Sequence, residues 1–301
     1  MEENAVRYIS RFDSEYPEKL NEIHSPPAGI YVKGALPDPQ KPAVAIIGSR
    51  VCSQYGRLCA ESFGSALALA GVQVISGLAR GVDGISQDAA CRAGGVSFGI
   101  LGCGVNVIYP AQNRSIYERV LEKGGLISEV PPDAPPVKAY FPSRNRIISA
   151  LCDILLVIEA RERSGTQITV SRALEQGRDI FAVPGRINDE CSKGCNELIA
   201  SGAGIANSPE AVLEALGIYK RSSRTGGDIS SLPDGFGKNE NKVYNALDLY
   251  PRSLNEVAKV TQIPQSELSV SLFHLQMTGF VREEGKGFYS KIIPDHVRYK
   301  L

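Results

Sequence analysis

The feature that most constrains this chain is a repeated succession of short apolar run, glycine and amphipathic stretch. Ala43 to Gly48 is apolar and ends in glycine, and an amphipathic stretch from Gly56 to Ala70 follows. Gln73 to Ser76 stops at Gly77 and leads into a helical stretch from Asp83 to Ala93, and Val96 to Leu101 stops at Gly102. Asp153 to Ile158 and Asp179 to Val183 continue the pattern around a helical stretch from Gln167 to Gln176. Short runs alternating with helices of this length specify parallel strands joined by crossover helices. Helices covering both faces explain why the runs are nearly continuous in apolar residues. The predicted fold class is α/β, a doubly wound, mostly parallel sheet over residues 43–218.

The flanks read differently. Residues 1–42 form a Pro-rich lead-in, where Tyr16-Pro17, Pro26-Pro27 and the prolines from Pro37 to Pro42 break any long element. Residues 219–241 are polar and rich in Gly, Ser and Arg, as in a linker. In residues 242–301, Val243 to Leu249 suggests a helix, and Ser253 with Glu256 a capping box opening a second. Ser266 to Met277 suggests a third, followed by strands at Phe280 to Arg282 and Phe288 to Lys291 around Glu284-Gly285-Lys286-Gly287. Three helices and a hairpin describe a small C-terminal winged-helix domain.

Length and composition narrow the class further. The 301 residues suit one large and one small domain, and 43% apolar with 22% charged residues is ordinary for a globular chain. Met1 to Pro17 lacks the apolar centre of a secretory signal, and Ala150 to Ala160 is short and contains Asp153. No membrane span is predicted, and the expected location is the cytoplasm. Seven cysteines, odd in number and mostly in apolar surroundings, suit a reducing compartment. Only Cys191 and Cys195 are close, with no second ligand pair, so no metal site is predicted. The net charge is zero, so any polyanion site has to be a local concentration of cations.

Ligands of open parallel sheets sit beyond the carboxyl ends of the strands. Three turns qualify: Gly48-Ser49-Arg50; Gly77 with Arg80, Gly81 and Asp83; and Gly102-Cys103-Gly104 with Tyr109-Pro110 downstream. Each alone reads equally well as a tight turn. The first lacks G-x-G-x-x-G and there is no Walker motif, so neither a dinucleotide nor any other cofactor is expected. More specific is Lys138 to Ser149, which places Lys138, Arg144 and Arg146 beside Tyr140 and Phe141. Cations neutralise phosphates and aromatic faces stack on unpaired bases, a pairing that suits single-stranded nucleic acid. The plain alternative puts the aromatics in the core and the arginines in caps or ion pairs. Ser164-Gly165-Thr166 reads as an anion nest or an ordinary N-cap, and Lys193-Gly194-Cys195-Asn196 as a second such loop.

Taken together and in order, these turns resemble the DNA-processing protein A (DprA/Smf) family. The resemblance is carried by Gly48-Ser49-Arg50, Ser76 to Asp83, Gly102 to Pro110 and Phe141-Pro142-Ser143-Arg144-Asn145-Arg146-Ile147-Ile148-Ser149. It continues through Ser164-Gly165-Thr166, Ala182-Val183-Pro184-Gly185 and Lys193 to Ile199, covering residues 8–216. The resemblance implies an extended Rossmann-like fold, a non-enzymatic single-stranded-DNA-binding role, a homodimer, and help in loading the recombinase RecA during natural transformation. Carried over residue by residue, Gly48, Ser49 and Arg50 line a phosphate pocket with Lys138, and Arg80 joins the same site. Phe141 stacks on a base, Arg144, Asn145 and Arg146 support the strand, and Gly165, Thr166, Lys193, Gly194 and Asn196 close the pocket. The chain departs from the family at Gln87, where members commonly carry histidine, and the helical N-terminal module of some members is not expected. The RecA contact has no local signature here.

Two other classes compete. Nucleotide phosphoribohydrolases related to lysine decarboxylase-like proteins carry Gly-Gly-x-Gly-Thr-x-x-Glu with a catalytic glutamate. Ser164 to Thr169 resembles its middle but puts Thr169 at the glutamate position, so the acid–base group is missing. A winged-helix transcription regulator is the other. From residue 239 onward, eight basic residues face seven acidic ones, which argues against duplex reading and for a protein contact or weak auxiliary DNA role.

Overall fold

The computed structural model describes residues 5–162, 164–218, 232, 236–248 and 251–292 and divides into two compact units, 1–220 and 221–301. In the first unit the strands are β1 (Val6–Ser10), β2 (Gly29–Gly34), β3 (Ala43–Ile47), β4 (Gln73–Ser76), β5 (Ser97–Leu101), β6 (Gly125–Ser128), β7 (Ile154–Val157), β8 (Asp179–Ala182) and β9 (Gly204–Ile205). The helices are α1 (Glu18–Asn21), α2 (Gln54–Leu69), α3 (Val82–Arg92), α4 (Arg114–Lys123), α5 (Tyr140–Leu151), α6 (Thr166–Glu175), α7 (Lys193–Ala200) and α8 (Pro209–Ala215).

The sheet has nine strands in the order β1-β2-β6-β5-β4-β3-β7-β8-β9. From β6 to β9 every neighbouring pair is parallel, as the continuous apolar runs require. All five residues of β3 are buried between two helical layers. One apolar layer takes in Ile147, Ile148 and Leu151 of α5, Val170 and Ala173 of α6, and Leu20. The other takes in Ala60, Phe63 and Leu67 of α2, Ala90 of α3, and Val212 and Leu213 of α8. The fold is the expected α/β, doubly wound architecture. The winding runs outward from β3 through β4 and β5, then returns to β7, so the strand order reverses between β3 and β7. That is where open sheets of this kind form their crevice.

Residues 1–42 depart from the lead-in expected of them. β1 pairs antiparallel with β2, and β2 pairs antiparallel with β6, so this segment supplies two strands of the sheet. Its prolines fall between elements, where they remove no ladder hydrogen bond. Ile9, Ile30 and Val32 point into the core, and Tyr8 pairs across the strands with Tyr31 at a ring separation of 5.0 Å. β6 and β9, short and flanked by glycine, were not anticipated either.

The second unit contains α9 (Lys238–Ala246), β10 (Arg252–Ser253), α10 (Leu254–Thr261), α11 (Gln265–Met277), β11 (Val281–Gly285) and β12 (Phe288–Lys291). A three-stranded antiparallel sheet in the order β10-β12-β11 accompanies the helices around Val243, Val257, Leu268, Leu272, Leu275 and Phe280. The Ser253–Glu256 capping box opens α10: Ser253 N–H donates to Glu256 Oε2 at 2.7 Å, and Glu256 N–H to Ser253 Oγ at 3.3 Å. α9 starts five residues before the expected Val243 because Glu240 caps it by accepting from the Gly237 amide. It therefore begins inside the segment read as linker, whose residues 219–231 and 233–235 lie outside the described residues. Among the described residues no helix is long and apolar enough to cross a membrane, and no cluster of three or more His, Cys, Asp or Glu is placed to hold a metal.

Candidate nucleic-acid interface

The site forms where the loops after β3, β4 and β5 meet the start of α5. The segment from Tyr140 is helical, with Pro142 tolerated in the first turn, where its missing N–H would have had no partner. Helical spacing turns Arg144, Ile147, Ile148 and Leu151 inward and leaves Phe141 part-exposed at the rim. Phe141 packs directly over Gly102, where a Cβ would stand 2.7 Å from the ring. Its ring centroid lies 5.6 Å from that of Tyr109, tilted by 45°, and 5.9 Å from the guanidinium carbon of Arg50. Arg50 is exposed and has no carboxylate partner among the described residues. Tyr109, 48% exposed, is fixed through its backbone, because the buried Tyr117 hydroxyl donates to Tyr109 O at 2.7 Å. Lys138 is exposed two residues before α5. A cation and two aromatic rings therefore share one rim, with Lys138 three residues before Phe141 in the chain.

Tyr109 is the residue that sequence reasoning left out of the site. Its motif was visible, but only the packing against Phe141 gives it a role.

Beneath this rim the loops are cinched together. Val82 N–H donates to Ser49 O at 3.1 Å, and the Ser49 hydroxyl turns back on its own loop, donating to Val51 O at 2.8 Å. Gly81 makes the closest approach. Its φ of 75° is left-handed, and a Cβ would collide with Ser49 O and stand 2.8 Å from the Arg50 carbonyl carbon. Gly81→Ala is expected to cost at least ~1–2 kcal/mol and to displace Arg50. A urea midpoint matching wild type would show that this contact can relax away. Gln87 is buried and fully used: Oε1 accepts from Leu78 N–H at 3.0 Å, while Nε2 donates to Ser97 Oγ at 3.1 Å and Phe98 O at 3.0 Å. A carboxamide, donor and acceptor at once, thus holds the positive-φ turn at Leu78 without a titrating group.

Among the other expected contact residues, Arg144 and Arg146 make scaffold contacts. Arg144 is only 6% exposed, lies across Gly77 and donates to Ile100 O. It faces the buried Asp83, whose carboxylate accepts from Gly77 N–H at 3.2 Å. Burial pushes the Asp83 carboxyl up against the opposing pull of the Arg144 charge, and burial likewise lowers Arg144. Arg146 is held by Glu129 at 2.7 Å and by Ser25 O at 2.8 Å. Asn145 is half-buried behind the rim. Arg80 is exposed but faces a separate cavity between α2, α3 and α4.

Lys193 to Asn196, expected as a loop, form the first turn of α7 and pack at the end of β7, while Gly165 and Thr166 open α6. Gly194 N–H donates to Ala160 O at 2.8 Å, and Asn196 exchanges hydrogen bonds with the backbone of Gly185 at 3.1 and 3.2 Å. Gly165 is exposed, Thr166 is buried, and Lys193 pairs with Glu190.

The crevice between β3 and β7 is filled by the protein's own carboxylate. Glu159, 1% exposed at the end of β7, accepts from Ser53 N–H at 2.9 Å and from the Ser53 hydroxyl, and its oxygens lie against Gly56. It thereby occupies the amino end of α2, where a nucleotide phosphate would otherwise bind. Burial pushes the Cys152 and Cys195 thiols up to about 12, which keeps these two unreactive.

These features define a Rossmann-like domain that closes its own phosphate-binding crevice and presents cations and aromatic rings at the strand ends. Residues 7–217 match the family of DNA recombination-mediator protein A, and the chain belongs to that family. It is 44% identical over 206 residues to protein Smf of Escherichia coli, a match covering 68% of this chain and 55% of that protein. It is 41% identical over 205 residues to DNA processing protein DprA of Streptococcus pneumoniae, covering 68% and 72%. The chain thus spans about half the length of the Escherichia coli relative. Among solved structures, the Streptococcus pneumoniae protein superposes with a TM-score of 0.66 at 39% identity, covering 71% of this chain and 75% of that one. DNA processing protein A from Helicobacter pylori, described by its single-stranded DNA binding mode, gives 0.61 at 27% identity, covering 70% and 95%.

Proposed function

We propose that this chain binds single-stranded DNA through the Arg50–Phe141–Tyr109 rim, performs no chemistry on it, and passes it to the RecA recombinase as a homodimer. One observation carries the reading: an exposed guanidinium, in no ion pair among the described residues, stands over Phe141 of an aromatic pair at the carboxyl ends of the central strands. Such a group offers one phosphate contact and one or two base-stacking faces, which is what an unpaired strand presents and a duplex hides. Membership of the recombination-mediator family and the single-stranded DNA binding described for the Helicobacter pylori relative support the same reading. Recombinase loading, the dimer and a role in transformation follow from the family alone.

The enzymatic alternative finds no support at the strand ends. Thr169, at the glutamate position of the phosphoribohydrolase motif, is buried, and Asp83 and Glu159 are each buried and hydrogen-bonded. Release of free base from nucleoside monophosphates would revive it. We assign the C-terminal unit as a winged helix. The outer face of its α11 presents Val270, Phe273 and Met277 rather than lysine or arginine, which supports a protein contact over duplex reading.

The test is fluorescence anisotropy of labelled oligo-dT against matched duplex. Arg50→Ala and Lys138→Ala are each expected to weaken single-strand binding and to lower the log–log salt slope by up to ~0.7. Equal affinity for duplex and single strand, or unchanged slopes in folded variants, would sink the assignment.

A further inference from the structure

Beside the rim lies a cavity of about 340 Å³ between α2, α3 and α4. Its cations are Arg57 of α2, Arg80 of the β4–α3 loop and Arg92 of α3. Its carboxylates are Asp88 and Glu61; Arg92 at 3.1 Å and Arg119 both pair with Asp88, so that charge is spent within the wall. Arg57 and Arg80 have no carboxylate partner among the described residues. In a chain of zero net charge, these two guanidiniums outnumber the one carboxylate left outside an ion pair, Glu61, and give the cavity a local positive excess suited to an anion.

The rest of the lining asks for more than a bare anion. Asn113 is nine-tenths buried, and its Nδ2 donates to Leu78 O at 2.9 Å and Ala79 O at 3.0 Å. With both Nδ2 hydrogens used, Asn113 can offer the cavity only an acceptor, and Glu61 on the same wall is likewise an acceptor. Cations for a phosphate together with acceptors for a base N–H match one nucleotide unit, and the volume is at the small end of ligand pockets, roughly 300 Å³. The cavity also adjoins the rim, because Gly81 lines it and packs against Ser49 and Arg50.

We infer that this cavity is a second subsite that takes a further nucleotide of the strand bound at the Arg50–Phe141–Tyr109 rim. The inference rests on the single-strand reading above and extends the strand's path from Arg50 across Arg80 to Arg57. A bare ion-pair wall would leave Arg57 without effect on any ligand.

The experiment compares short oligo-dT (roughly 4 nucleotides) with long (roughly 16), spanning the usual site sizes of single-strand binders, on the full chain. Arg57 is exposed and unpaired, so Arg57→Ala and Arg57→Glu are expected to melt as wild type. Arg57→Ala is expected to weaken the long oligomer about fivefold and lower its salt slope by up to ~0.7, with a larger loss in Arg57→Glu. The short oligomer, held at the rim alone, is expected to bind both variants as it binds wild type. Equal losses on both lengths, or none on either while wild type binds both, would overturn this subsite and leave the rim standing. Wild type binding neither length would overturn rim and subsite together. Thermal stabilisation by free dTMP that depends on Arg57, with both oligomers unaffected, would overturn it in favour of a small-metabolite site.

Discussion

Arg144→Ala is expected to destabilise the N-terminal unit by about 3–5 kcal/mol, a large share of a typical domain's total of roughly 5–15 kcal/mol. The buried guanidinium faces Asp83, donates to Ile100 O and fills the space over Gly77. Truncation opens a cavity, removes the donor to a buried carbonyl and leaves Asp83 buried without its main countercharge. The sign of the pH dependence follows from Asp83. Burial already raises its folded pKa above the unfolded value of about 3.9, so its charge works against folding as pH rises through the folded pKa. Removing Arg144 raises that pKa further. The loss in Arg144→Ala is therefore expected to be smaller near pH ~4 than near pH ~7. Pairing Arg144→Met with Asp83→Asn removes both charges and keeps an acceptor for Gly77 N–H, so it is expected to recover at least half the loss. Urea melts at the two pH values decide the matter. A single-variant loss below about 1 kcal/mol at neutral pH would mean the pair is solvated.

The same residue marks where the sequence stops being legible. Strands β3, β4, β5 and β7 could be read because each is buried on both faces, so apolar content alone reveals it, and β8 because Ile180 and Ala182 are buried beside the part-buried Phe181. β1 and β2 escaped for different reasons: β1 is an edge strand with only Ile9 buried, which acquires its identity by pairing with β2, and β2 is a short run bounded by Gly29 and Gly34 within a Pro-rich segment. Within the site, the chemistry of Lys138 to Ser149 was visible but its direction was not. The spacing of Arg144 with Ile147, Ile148 and Leu151 was the available signal that the arginine faces inward, once the segment is taken as helix. Arg146 and Asn196 carry no such signal, because their partners, Glu129 and Gly185, come from other elements. The part that Glu159 plays in filling the crevice needs the end of β7 and the start of α2 brought together. Strand-end glycines thus marked the loops that converge on Phe141 and Arg50. Which cations face solvent was settled by tertiary packing.

That distinction gives the second large effect its meaning. Phe141→Ala is expected to weaken single-strand binding by roughly 1–3 kcal/mol, about 5- to 150-fold, with the salt slope unchanged. Phe141 carries no charge, so its loss releases no counterion-coupled contact; it removes the platform between Arg50 and Tyr109. Arg50→Ala makes the opposite pattern, a shallower slope with the aromatic pair intact. A variant that merely unfolded the loops would lose slope and affinity together. Phe141→Tyr keeps a ring over Gly102 and is expected to retain most of the affinity, which separates stacking from general packing. Tyr109→Ala removes the outer partner and is expected to fall between wild type and Phe141→Ala. Anisotropy titrations of oligo-dT at several salt concentrations read all four variants. If Phe141→Ala bound within twofold of wild type while melting normally, the ring would be packing, and the strand would have to be held by Arg50 and Lys138 through phosphates alone. If its slope fell as in Arg50→Ala, Phe141 would act by positioning the guanidinium 5.9 Å away rather than by touching a base.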